Sequence, residues 1–140
     1  MAWALQVAEP LSMVVLAVSI WTLPHPLIDL PLATSPVRVA DQVARETRSM
    51  LGHLVDAQVS ERSPVHVRQR IVRGDAGAEL VRLSEHAALV VVGARGHGDL
   101  AGTLLGSVSR HVLAHSRSTV VVVRSSRAES AAGSTHRTSV

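Results

Sequence analysis

The residues best suited to chemistry lie in one run, Leu89–Ser107, which reads LVVVGARGHGDLAGTLLGS. An apolar segment, Leu89–Val92, ends at Gly93. Four more glycines follow, and the run closes on Gly106-Ser107, just ahead of a helical pattern. Buried strand, glycine-rich turn and helix N-terminus in that order make an anion-binding arrangement. Glycines let a backbone turn sharply and come close to a ligand, and free N–H groups with the helix dipole favour phosphate. No GK[ST] completes a Walker loop, and no GxGxxG stands where a dinucleotide fingerprint requires it. A surface turn without a ligand is the plainer reading of the same glycines.

Other reactive side chains are sparse. His111 and His115 stand at i, i+4 on a helix, a spacing that can place two imidazoles on one metal. No HExxH glutamate lies between them and no third ligand is evident, so a structural or solvent-facing pair is expected and no metal is assigned. His97 lies within the glycine run but matches no fixed motif. The chain has no cysteine, which excludes disulfides and thiolate ligands. Its basic residues are all arginine, so a lysine nucleophile or Schiff base is excluded as well. No Ser-His-Asp arrangement is readable from spacing, and no catalytic residue is named.

The elements around the run alternate. Met1–Ala8 reads as two helical turns stopped by Pro10. Leu11–Trp21 is continuously apolar and β-branched, as a buried parallel strand should be. Charge-free residues extend only from Pro10 to Pro24, too short to span a bilayer, and no basic n-region precedes them, so no membrane segment is assigned. Thr22–Pro36 is a proline-rich connection. Val37–Gln58 has helical spacing, with Val39, Val43, Met50 and Leu54 on one face. Val65–Val72 alternates, Val65, Val67 and Ile71 against His66, Arg68 and Arg70, which predicts a strand with one wet side near a sheet edge.

Asp75 can cap the next helix, whose Ala76, Leu80, Leu83 and Ala87 repeat on one face. Leu89–Val92 follows as an all-apolar, central strand. After the glycines, Leu105, Val108 and Val112 line a last helix, and Thr119–Val123 is the last strand. Residues 125–140 show no period and read as a disordered tail, leaving one domain over residues 1–124. Strand–helix alternation predicts an α/β fold, a single-domain open, mainly parallel twisted sheet with right-handed crossovers and helices on both faces. Ligands then bind at the carboxyl ends of the strands, where Gly93 sits.

The spacing Gly93, two residues, Gly96, nine residues, Gly106-Ser107 resembles the nucleotide loop of the universal stress protein family. The flanking strings ALVVVGARG, LLGSVSRHVLAH and TVVVVR carry the same resemblance, clearest from Asp75 to Arg124. It implies a Rossmann-like fold of the adenine nucleotide alpha hydrolase type and a stress-response or regulatory protein that binds ATP or a related adenine nucleotide. Mg²⁺ can accompany that ligand. By matching position, Gly93 and Gly96 admit the phosphates and Arg95 lies beside them. Gly106, Ser107 and Val108 supply N–H groups and a hydroxyl, and Val18 packs on the base. The plainer roles are ordinary core for Val18, an N-cap for Ser107 and a solvated loop residue for Arg95.

The resemblance also implies a homodimer paired through Thr119–Arg124, although family chains usually carry proline where Thr119 stands. Family members begin with a further central strand ending in an aspartate. This chain starts within the helix that follows, so roughly 20 residues have no counterpart here, and Glu9 cannot replace the aspartate. In the sheet that strand lies between Met13–Ile20 and Leu89–Val92. Its absence leaves either an upstream start, which we expect, or direct pairing of the two flanking strands at the expense of the pocket. In the second case the chain is a non-nucleotide-binding dimerisation module.

The net charge of +3 is uneven: from Ala88 onward, arginines outnumber the two acids, Asp99 and Glu129. A basic half can attract polyphosphate, but its arginines are scattered without aromatic partners, so no nucleic acid is assigned. A cytoplasmic location is expected. Hydrolysis, if any, is slow, since no general base or metal-ligand set is visible beside the loop. An enzyme of adenosine phosphosulfate or phosphoryl-transfer type needs side chains that are not evident.

Overall fold

Two crossovers, each joining a pair of parallel strands through a helix, organise the chain. A computed structural model describes residues 1–23, 36–59, 63–94 and 105–124. Within these, the elements run α1 (Ala2–Ala8), β1 (Val15–Trp21), α2 (Pro36–Asp56), β2 (Val67–Arg73), α3 (Ala76–Ser84), β3 (Leu89–Gly93), α4 (Ser107–His115) and β4 (Thr119–Val123). The expected tail, residues 125–140, and most of the proline-rich connection, residues 24–35, lie outside the described residues.

α1 ends as Pro10 requires, and the chain turns into β1 through Ser12, whose φ of 51° is left-handed. The Met13 N–H closes that turn on the Ala8 carbonyl at 3.0 Å. β1 and β2 then pair in parallel from Val15↔Val67 to Trp21↔Arg73. The connection is α2, which begins at Pro36 rather than Val37; a first helical position tolerates proline because its N–H has no intrahelical partner anyway.

The buried face of α2 differs from the expected one. Leu51 and Val55 pack with Ala17 against Val59, Val67 and Ile71, whereas Met50 is 66% and Leu54 56% exposed. Val39 and Val43 are half-buried, as expected, but counting large apolar residues fails in the second half of the helix. Ala40, Ala44 and Gly52 are half-buried, and such small residues let the helix backbone come close to the strands. A Cβ at Gly52 would meet Gln69 Oε1 at 3.9 Å.

β1 is also less buried than its composition suggests. Ala17 lies under α2, but Leu16 on the opposite face is 45% exposed. β2 shows the expected alternation, with Val67 and Ile71 inward and Arg68 and Arg70 exposed.

α3 starts as read from the sequence: Asp75 Oδ1 accepts the Ala78 N–H at 2.8 Å. It lies close against α4 at Gly77, where an added Cβ would sit 2.8 Å from His111 Cδ2. Leu80 and Ala87 pack with Val108, Val120 and Val122 around Val90, Val92 and Val112. β3 and β4 pair in parallel from Leu89↔Thr119 to Gly93↔Val123, with α4 as their connection.

The strands thus form two parallel ladders, β1-β2 and β3-β4, with no ladder between β1 and β3 among the described residues. α3 packs against both β1 and β3. Direct pairing of the two flanking strands, one of the two expected arrangements, is not adopted. Each pair keeps one inner edge of N–H and C=O groups outside the ladders. No helix of the described residues is long and apolar enough to cross a membrane.

Candidate nucleotide site

The glycine run leaves the second ladder and returns to it through a narrow neck. Ala94, the residue after β3, donates its N–H to the Val123 carbonyl at 2.7 Å and so extends the ladder by one step. The Ala94 carbonyl then accepts the Gly106 N–H, also at 2.7 Å. Ala94 and Gly106, described residues on either side of positions 95–104, are therefore in direct contact.

Gly106 is the N-cap of α4, with φ −69° and ψ 163°, and no side chain caps the helix. Ser107 is the first helical residue, so its plainer reading as N-cap is corrected. Serine and glycine are both good caps, and here the neck decides, because the residue bonded to Ala94 must stand before the helix. The first intrahelical bond runs from the Arg110 N–H to the Gly106 carbonyl at 3.0 Å. The N–H groups of the first turn, at Ser107 and Val108, precede it and are the kind of donors an anion uses. Ser107 is exposed; the Val108 side chain packs into the core beneath.

Gly93, Gly106, Ser107 and Val108 are thus brought to one place. Arg95 and Gly96, expected beside the phosphates, and His97 lie outside the described residues. Val18 belongs to the other ladder. It is half-buried and paired with Arg70, and it stands mid-strand, three residues before the end of β1 at Trp21.

One residue of the site escaped the sequence reading. Ser109 is 4% exposed, and its Oγ donates to the Gly93 carbonyl at 2.5 Å. The signal was a lone hydroxyl three residues before Val112, on the buried stripe of α4.

His111 and His115 have packing roles. Their rings stack with centroids 4.5 Å apart, and His115 Nδ1–H donates to the His111 carbonyl at 2.9 Å. Among the described residues no group of three or more His, Cys, Asp or Glu could hold a metal ion.

The parallel strands and their helical crossovers define an open α/β protein, a class whose ligands bind at the carboxyl ends of the strands. The profile of the universal stress protein family matches residues 1–124, and the chain belongs to that family. The universal stress protein Rv2623 of Mycobacterium tuberculosis is 40% identical over 102 residues, covering 72% of this chain and 31% of the relative. Rv2005c of the same organism is 49% identical over 67 residues, 47% of this chain and 23% of its own length. The chain therefore spans less than a third of these curated relatives.

Among solved structures, MJ0577 is similar with a TM-score of 0.69 at 19% identity, covering 89% of this chain and 88% of that one. The universal stress protein UspA of Lactobacillus plantarum gives 0.68 at 17% identity, over 88% and 87%. A universal stress protein in complex with cAMP gives 0.53 at 23% identity, over 89% and 84%. At these identities the likeness is one of fold.

Proposed function

We propose that this chain binds an adenine nucleotide, ATP in the first instance, at the neck between β3 and α4, and acts as a regulator in a stress response. The observation that carries this reading is the neck itself. Ala94 and Gly106 are clamped together, and a helix without a side-chain cap starts immediately behind them. Phosphates would take the N–H groups of Ser107 and Val108 and the Ser107 hydroxyl, while Gly93 and Gly96 leave room for them and Arg95 supplies charge. Mg²⁺ would accompany the phosphates. Val18 would contact the base. Turnover is slow at most, and the protein acts in the cytoplasm. A related protein's complex with cAMP supports an adenine nucleotide as the class of ligand.

The chain would also pair with a second copy through Thr119–Arg124. β4 bonds only to β3 among the described residues, which leaves its other edge open, and it is apolar on both faces.

The separation of β1 from β3 favours a second reading, in which the pocket is open on the Val18 side and the chain serves as a dimerisation module. Denaturing the purified protein and assaying released nucleotide, followed by titration of a labelled ATP analogue, separates the two. Saturable binding that is abolished by Gly106→Leu, with the fold kept, supports the nucleotide site. Neither release nor saturable binding leaves the module. Light scattering at high micromolar concentration tests the dimer, and a monomer there would remove it.

A further inference from the structure

The peptide unit between Gly93 and Ala94 stands at the mouth of the loop and is held from both sides. Its N–H goes to the Val123 carbonyl at 2.7 Å, and its C=O receives the Ser109 hydroxyl at 2.5 Å. The peptide is planar, so the two bonds hold opposite ends of one rigid unit and each supports the orientation the other sets. The strand bond alone does not complete the clamp. Ser109, reaching back from the first turn of α4, supplies the other half: it is itself buried, while Gly93 at the end of β3 is exposed.

We infer, on the basis of the nucleotide reading above, that Ser109 is a positioning residue for phosphate recognition. It touches no ligand. Its hydroxyl keeps the negative end of the Gly93 carbonyl engaged within the protein, and it ties the end of β3 to the turn that carries the N–H groups of Ser107 and Val108. Without that bond the first turn of α4 loses its tie to the end of β3, and the N–H groups of Ser107 and Val108 are less well placed for an anion, while an uncharged ligand group that does not use them is unaffected. The effect is therefore specific to phosphate.

The test compares wild type, Ser109→Ala and Ser109→Thr as full chains, with ATP and adenosine titrated separately by calorimetry. Ser109→Ala is expected to weaken ATP about tenfold, the size of one lost hydrogen bond, and adenosine less than about twofold. Ser109→Thr, which keeps the hydroxyl, restores ATP to within about threefold of wild type. Unchanged ATP affinity in Ser109→Ala, or equal losses for both ligands, overturns the inference.

A second readout needs no nucleotide. Amide exchange at Gly106, in the neck, should accelerate about tenfold in Ser109→Ala, the same lost bond, while Ser116 at the far end of α4 stays as in wild type. Equal change at both amides, or none at Gly106, also overturns it. A wild type that binds neither ligand defeats the nucleotide reading by itself; the exchange data then still decide whether Ser109 sets the neck. Should Ser109→Ala not fold, Ser109→Cys, with a weak donor of similar size, takes its place with the same expectations.

Discussion

Each crossover buries three apolar residues beneath its helix: Ala17 with Leu51 and Val55 in the first, Val90 with Val92 and Val112 in the second. Their polar fastenings differ. In the second, two buried hydroxyls reach across the chain. Ser84, 1% exposed, accepts the Arg117 N–H at 2.9 Å, and Ser109 holds Gly93. In the first, the side-chain hydrogen bonds among the described residues are local, as from Gln42 to Glu46 and from the Val65 N–H to Ser63. Among the described residues, no side-chain hydrogen bond reaches across the chain in the first crossover, while the second is pinned by two. The candidate site lies on the pinned one, where donors can be held to the fraction of an ångström that recognition needs.

Breaking the apolar contact should give the largest effect. Leu51→Ala is expected to cost about 3 kcal/mol. Because β1 and β3 share no ladder, hydrogen exchange should show β1 and β2 losing protection while β3 and β4 keep theirs. Equal loss in both ladders would show the two crossovers to be one cooperative unit.

Removing a pin should do less. Ser84→Ala leaves the Arg117 N–H without its acceptor and should cost about 1.5 kcal/mol in denaturant unfolding, with the slope unchanged.

The helical glycines sharpen the contrast further, because the same substitution should have opposite signs in the two halves. Gly52→Ala meets only ordinary contact, with Gln69 Oε1 at 3.9 Å, and should stabilise by about 1 kcal/mol through helix propensity. Gly77→Ala drives a methyl to 2.8 Å from His111, and should destabilise by about 1 kcal/mol, since overpacking exceeds the propensity gain. In an His111→Ala background the ring contacts at 2.8 and 3.0 Å are gone and the Cβ at 3.2 Å remains, so Gly77→Ala should cost clearly less there. An undiminished loss would mean that the His111 ring is not what Gly77 accommodates.

The smallest expected effect is at Ser12. Its left-handed backbone favours glycine, and Ser12→Gly should raise stability by about 0.5 kcal/mol, strain relief being partly offset by the more flexible unfolded chain. Thermal unfolding that is no higher than wild type would argue against strain at that turn.

Most of this architecture was legible in the sequence because it depends on period and punctuation. Thr119–Val123 begins and ends where its apolar run does. Asp75 caps α3, and Leu80, Ala87, Val108 and Val112 face the core as their spacing predicts. The inner stripe of α2 was legible at Val39 and Val43 but not in its second half, because closeness of approach is set by small residues that a count of large ones ignores. Nor was the role of Gly106 as cap or of Ser109 as pin. Both depend on where the carbonyls of Ala94 and Gly93 arrive in space, and nothing local to residues 106–109 specifies that. Of the candidate site, Gly93 and Gly106 fall beside the bond between Ala94 and Gly106, while that bond itself came only with the fold.

The bond from Ala94 to Val123 has a further consequence. It hangs the mouth of the candidate site on the final residue of β4, the strand whose far edge is unpaired among the described residues. If occupancy of the mouth changes how readily that edge recruits a second copy, recruitment must change occupancy by the same factor, because the two equilibria share one thermodynamic cycle. A single main-chain contact would then make self-association and small-molecule concentration each a gauge of the other.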